Sequence, residues 1–300
     1  MKTRAVLSIV CLALGASAAT AEAPRKLKLL VSIDMEGIAG VVTADQLGPS
    51  GFEYARFREF MTREALAAVS AAREAGATEI VVADSHGNGE NLLIEQFPAD
   101  VRIVRSWPRP LAMMAGIDAS FDAAILIGYH ASTDNPRGVR AHTFRSALFT
   151  HVGVNGKAVS EGFMSAALAG QFGVPVVMAS GDDVAMAELR AQIGSIETAE
   201  VKRALGFHSA ETLTPAAACE LIGRKVKAAL ARRAERKPLK LEGPVALEIS
   251  FKHYMQAEVA AYLPGSERLD AHSVRFRVAS PSEAVDVLTF LDNWDQELTP

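Results

Sequence analysis

Cysteine is nearly missing from this chain. Only Cys11 and Cys219 occur in 300 residues, which excludes a disulfide framework and leaves stability to a buried core. Long apolar runs are missing too. The most apolar stretch, residues 5–18, falls short of the ~20 residues that span a bilayer. There is no basic block of the kind nucleic-acid binding uses: the formal net charge is −4, and the locally basic stretch 224–240 reads as a helix end and a solvated loop. No phosphate-cradling glycine loop, internal repeat or low-complexity segment is present beyond the alanine-rich start.

That start has its own meaning. Lys2 and Arg4 precede the apolar stretch, and Ala16-Ser17-Ala18 and Ala19-Thr20-Ala21 then supply the small residues a signal peptidase requires. Export is expected, with cleavage after Ala18 or Ala21, a periplasmic location and no stable membrane insertion afterwards. Loss of residues 1–21 removes Lys2, Arg4 and Cys11 and takes the net charge to −6. Cys219, on an alanine-rich helix, is expected to be a buried apolar residue.

What the chain does have is alternation. Near-continuous apolar runs at 29–33, 79–83, 101–104, 123–128 and 174–179 read as strands, and helical spacing recurs at 52–76 and 161–172. Continuous apolar strands between helices argue for an α/β fold with a mostly parallel sheet covered on both faces. Residues 144–159 differ: Asn155-Gly156 suits a tight turn between antiparallel strands, expected to carry polar groups toward a site. A helix over 214–233, strands at 245–251 and 273–278, and a helix after each suggest a smaller C-terminal α+β part. The expected boundaries are an α/β domain over 22–195 and a C-terminal part over 196–300 that need not fold on its own.

Asp34 and Glu36 are the most informative pair. Side chains two apart at a strand end share a face, and two acids converging there need a cation or donors to compensate them. His86 and His130 each follow an apolar strand, and Glu161 opens a helix. All five fall where α/β sheets bind ligands, at the carboxyl ends of strands. Imidazole disfavours magnesium and calcium and suits zinc, with manganese or cobalt as alternatives. Five ligands exceed the needs of one open zinc site, and two ions about 3.5–4 Å apart with a bridging carboxylate fit better. Asp34 is the favoured bridge, because a short side chain at a strand end is easily held rigid. His142 is not needed for the metal count and is left as general base, proton donor, nucleophile or plain loop residue. Asp182 and Asp183 read as helix-capping residues. His151, His208, His253 and His272 show no converging partners.

The segments Ser32-Ile33-Asp34-Met35-Glu36-Gly37, Ala83-Asp84-Ser85-His86-Gly87, Gly128-Tyr129-His130-Ala131, Ala141-His142-Thr143, Glu161-Gly162 and Ser180-Gly181-Asp182-Asp183 follow one another as in the zinc-dependent D-aminopeptidases. The chain resembles that family, in its dipeptide-transport-operon type, from about residue 28 to the C-terminus. The resemblance implies a di-zinc site on Asp34, Glu36, His86, His130 and Glu161, with His142 catalytic. It also implies release of N-terminal D-amino acids from short peptides by a ring-shaped homo-oligomer, a decamer by family precedent. An exported enzyme of this kind would meet D-Ala-containing peptides related to peptidoglycan. Two rival readings are a di-metal phosphoesterase and a non-catalytic periplasmic protein that binds metal or peptide.

Overall fold

The first strand shows why the sheet is buried on both faces. In the computed structural model, which describes residues 26–294, β1 (Leu27–Ile33) sends Leu29, Val31 and Ile33 into one core and Leu30 into another. Successive strand side chains point to opposite faces, so an unbroken apolar run demands a cover on each side. Each such buried side chain contributes about 1.5–3 kcal/mol. The expected export signal and Cys11 lie outside the described residues.

The remaining elements follow in order: α1 (Tyr54–Glu74), β2 (Ala77–Asp84), β3 (Arg102–Val104), β4 (Ala123–Tyr129), β5 (Phe149–Val154), β6 (Lys157–Ala158), α2 (Glu161–Gln171), β7 (Val176–Asp182), α3 (Asp183–Ile193), β8 (Glu197–Gly206), β9 (Ser209–Thr212), α4 (Pro215–Ala231), β10 (Val245–Phe251), α5 (Tyr254–Ala260), β11 (Ser266–Arg268), β12 (Ser273–Val278) and α6 (Pro281–Asn293). They build a seven-stranded sheet in the order β3-β2-β1-β4-β7-β8-β9 and a five-stranded sheet in the order β11-β12-β10-β5-β6. The first is parallel except for β9. The second is antiparallel.

Helices α1 and α4 cover one face of the large sheet through Met61, Ala65, Ile222 and Val226. The other face packs against α2, α3 and the apolar side of the small sheet, where Val152, Leu247, Ile249 and Phe276 lie. The α/β class, with a largely parallel sheet flanked by helices, is thus the observed one. Among the described residues no helix is long and apolar enough to cross a membrane.

The strands do not divide at residue 195. β8 and β9 extend the large sheet, and α4 lies on its core, while β5 and β6 belong to the small sheet. The physical reason is that each sheet needs an apolar cover, and the chain supplies it from distant segments. β8 escaped the sequence reading because it is a polar-studded strand, ETAEVKRALG, near the edge. Asn155 and Gly156 do form the tight turn between β5 and β6, both with positive φ (51° and 77°). Its hairpin is core, since Phe149, Val152 and Val154 are buried in it, while Phe144 ahead of the hairpin gives its N–H to Glu161. Cys219 is free and only partly buried.

The topology sets the location of the centre. From β1 the chain moves to β2 and β3 on one side, then returns to lay β4 on the other side of β1. The carboxyl ends of β1 and β4 therefore flank a topological switch point, where open α/β sheets form a crevice.

Candidate metal centre

Asp34 and Glu36 lie in the turn just beyond β1, and that turn touches the end of β4. The Gly37 N–H donates to the Gly128 carbonyl at 2.7 Å, and the Asp34 N–H donates to that of Ile127 at 2.8 Å. A Cβ at Gly37 would sit 2.2 Å from the Tyr129 carbonyl, and one at Gly128 2.2 Å from that of Asp34. Only glycines permit this approach, which brings Asp34 to the residue following β4, His130, and leaves Glu36 beside His86. Met35, between them, is fully buried.

The five residues expected from sequence come together with His142. Asp34 Oδ1 lies 3.2 Å and Glu36 Oε2 2.8 Å from His86 Nδ1. Asp34 Oδ2 lies 3.2 Å and Glu161 Oε2 3.3 Å from His130 Nε2. His142 Nε2 is 3.8 Å from Glu161 Oε1, and its ring stacks on that of His130 with centroids 4.0 Å apart. Two donor groups result, Asp34–Glu36–His86 and His130–His142–Glu161. Asp34 faces both, one oxygen to each histidine.

Backbone carbonyls select which imidazole nitrogen looks inward. His86 Nε2 donates to the Leu47 carbonyl at 2.7 Å, His130 Nδ1 to that of Ala131 at 3.0 Å and His142 Nδ1 to that of Arg140 at 2.8 Å. Nδ1 of His86 and Nε2 of the other two are thereby turned toward the acids, the arrangement by which metal-binding imidazoles are held. Asp34 Oδ2, Glu36 Oε2 and His130 Nε2 are buried without a hydrogen-bond partner. Orphaned acceptors and nitrogens converging in a dry site are costly unless a cation receives them, and this donor set fits zinc.

Electrostatics agree with that reading. Burial and the neighbouring Glu36 push the Asp34 carboxyl up. Burial also works against Glu36 and Glu161, but the adjacent histidines outweigh it and hold Glu36 well below and Glu161 below the usual range. Burial opposes the charged imidazoles as well, yet Glu36 with Asp34, and Glu161 with Asp34, raise His86 and His130 well above theirs. The histidines thus take protons to balance the acids, and a bound dication would displace those protons.

Several supporting residues carried no signal in the sequence. Lys202 of β8, only 3% exposed, donates its ammonium to the carbonyls of Ile38 (3.1 Å), Val41 (2.6 Å) and Glu36. Burial lowers it to about 8. Glu64 of α1 accepts the Ala39 N–H at 3.0 Å, and burial raises its carboxyl to about 7. Together they clamp the turn that bears Glu36. Asp84 accepts from Asn91 N and Nδ2 and from Leu92 N at 2.6–2.8 Å, while Asn91 Nδ2 also donates to the His86 carbonyl at 2.7 Å. This organises the His86 loop. A buried lysine eight strands into the chain has no local pattern that pairs it with residue 36; the Asp84-to-Asn91 spacing could have been read as a turn signal.

The second group hangs on loops. Ser160 caps α2 by accepting from Phe163 N at 3.2 Å, which puts Glu161 in the first turn, where the helix dipole favours an anion. Glu161 Oε1 accepts the Phe144 N–H at 2.6 Å. Arg140 is left-handed (φ 53°), and its N–H donates to the Phe207 carbonyl, at the tip between β8 and β9, at 3.0 Å. Asp182 caps α3 through Ala185 N at 2.9 Å and also takes Val139 N at 3.3 Å, while Asp183 accepts Ala204 N at 2.8 Å. Three of the four remaining histidines do have partners, contrary to expectation: His151 pairs with Asp134 at 2.7 Å, His208 with Arg140 at 3.0 Å, and His272 with the Phe251 carbonyl at 3.2 Å. His253 stands at the N-cap position of α5. All three missed pairings are long-range or loop contacts.

Comparison with known proteins places this geometry. A family model described as D-aminopeptidase matches residues 27–290. A D-aminopeptidase of Bacillus subtilis (strain 168) is 34% identical over 263 residues, covering 87% of this chain and 95% of that protein. The solved structure of the Zn-dependent D-aminopeptidase DppA from Bacillus subtilis, described as a self-compartmentalizing protease, superposes with a TM-score of 0.85 at 33% identity. The match covers 88% of this chain and 96% of that one.

Proposed function

The chain belongs to the D-aminopeptidase family, and from that premise we infer that it is a zinc-dependent aminopeptidase releasing N-terminal D-amino acids from short peptides. The observation that carries the reading is the set of orphaned buried donors at the β1–β4 crevice, with Asp34 facing both groups. Asp34, Glu36, His86, His130 and Glu161 would hold two zinc ions, Asp34 between them. Bound zinc supplies Lewis-acid polarisation of the scissile carbonyl and a more acidic water.

The chain's own residues do the rest. His142, with Nδ1 tied to the Arg140 carbonyl, keeps Nε2 directed at the centre, where it moves a proton to the leaving amine. Stacking on His130 and the facing Glu161 carboxylate hold the ring against rotation. Lys202 and Glu64 keep the Glu36 turn rigid. The finer proposals are export to the periplasm, substrates related to peptidoglycan, and a homo-oligomer, a decamer, that encloses its sites; the relative described as a self-compartmentalizing protease supports such an assembly.

The test incubates mature protein with D-Ala-D-Ala, D-Ala-L-Ala and L-Ala-L-Ala, with zinc and with chelator, and measures released alanine. Chelator-sensitive release only from peptides with an N-terminal D residue is expected. No release from protein shown to carry zinc would overturn the reading in favour of another hydrolase or a binding protein.

A further inference from the structure

Beside the metal centre lies a pocket of about 100 Å³ lined by Gly87, Trp107, Met113, Phe144, Asp292 and Asn293, among others. It shares walls with the centre: Gly87 follows His86, and the Phe144 N–H donates to Glu161. Two polar atoms belonging to its lining residues are left over. Asp292 Oδ1 and Trp107 Nε1 are both buried and lack a hydrogen-bond partner.

The leftover carboxylate oxygen is not simply consumed by a nearby cation. Arg145 Nη1 donates to the Asp292 backbone carbonyl at 2.7 Å, while its Nε stands 4.0 Å from Oδ1, beyond hydrogen-bond reach. Arg145 therefore positions the end of α6 and partly screens the acid without satisfying that oxygen. A half-buried carboxylate with an unfilled acceptor gains most from a charged donor. The space admits a small group of a few heavy atoms, since one water occupies ~30 Å³ of liquid.

We propose that Asp292 accepts a hydrogen bond from a substrate ammonium group in a subsite beside the metal centre. The proposal rests on the peptidase reading and deepens it by naming the chemistry that the substrate brings. Such an ammonium has two sources, the free α-amine of the first residue or an amine on its side chain. Burial lifts Asp292 to about 6, so the carboxylate is mostly ionised at neutral pH and attracts either.

The test compares the zinc-loaded full chain with Asp292→Asn on D-Ala-D-Ala and D-Lys-D-Ala. Loss of a charge-assisted hydrogen bond should raise KM by roughly 10- to 100-fold and lower kcat less. A rise with both peptides assigns the α-amine; a rise with the lysine peptide alone assigns the side chain; and Asp292→Glu should recover part of the loss. Unchanged KM for both peptides overturns the proposal. Calorimetric binding of D-alaninamide and D-lysinamide to both proteins separates this from failure of the peptidase reading. If the wild type turns over neither peptide, weaker amide binding by Asp292→Asn still supports the subsite, and equal binding overturns it.

Discussion

The two donor groups of the centre are built differently. Asp34, Glu36 and His86 follow directly from β1 and β2, and their turn is clamped by Lys202 on its carbonyls and by Glu64 on an amide. His130 directly follows β4, while His142 and Glu161 sit on the 130–148 loop and the first turn of α2. That loop has left-handed residues at Arg140 and Phe144 and ties from Val139 to Asp182, Arg140 to Phe207 and Leu148 to Lys252. The first group is placed by sheet register and buried charge; of the second, His130 is placed by the end of β4, and His142 and Glu161 by loop conformation and a helix cap. The contrast teaches a division of labour: rigid strand ends suit fixed ligation, and a loop suits the residue that must meet a substrate.

Asp34 belongs to the first group and faces the second, one oxygen to each histidine, so its loss should erase the contrast. Asp34→Ala is expected to lose zinc from both groups and turnover with it, as metal analysis of the purified protein would read. A variant retaining two zinc ions would refute the bridging position. His142→Ala should sharpen the contrast instead. It is expected to keep zinc and fold but lose about 10²–10⁴-fold in kcat, measured by metal analysis, circular dichroism and steady-state kinetics. Full activity of the zinc-loaded variant would remove His142 from its role.

Lys202→Met probes the clamp alone. Zinc affinity of the Asp34–Glu36–His86 group should fall by roughly 10- to 100-fold, as for lost support of other metal ligands, while His130–His142–Glu161 is less affected. A zinc titration showing equal weakening of both groups would break the distinction drawn above. The smallest effect is expected from Glu64→Gln. Burial raises the Glu64 carboxyl from 4.5 to about 7, so the folded state holds its proton more tightly than the unfolded chain. Its contribution is therefore complete below about pH 4.5 and lost as pH rises through about 7. Glu64→Gln should flatten that part of the stability–pH profile, a change on the order of 1–3 kcal/mol, read from urea unfolding at pH 5 and pH 8. An unchanged slope would show that Glu64 is not the group responsible.

Asp34, Glu36, His86 and His130 were legible because each follows an apolar strand, and Glu161 because it opens a helix, patterns carried by short segments. Their supports were not. Lys202 reaches Glu36 across 166 residues of chain, and Asp292 reaches Arg145 across 147; neither lies in a motif, and a lysine in a polar-studded strand reads as solvent-facing. That segments from both sides of residue 195 share each sheet was not legible for a related reason, because apolar periodicity reports that a face is covered without saying which segment covers it.

The sequence by itself determined the alternation of strands and helices, the type I′-compatible Asn155-Gly156 turn, and the acids and imidazoles at strand ends, since backbone preference and side-chain chemistry act over a few residues. The tertiary structure alone decided which strands became neighbours, which imidazole nitrogen faces inward, and that a buried lysine holds the turn that bears Glu36. Those outcomes depend on contacts between distant segments, whose energies exist only once both sheets have closed over their cores.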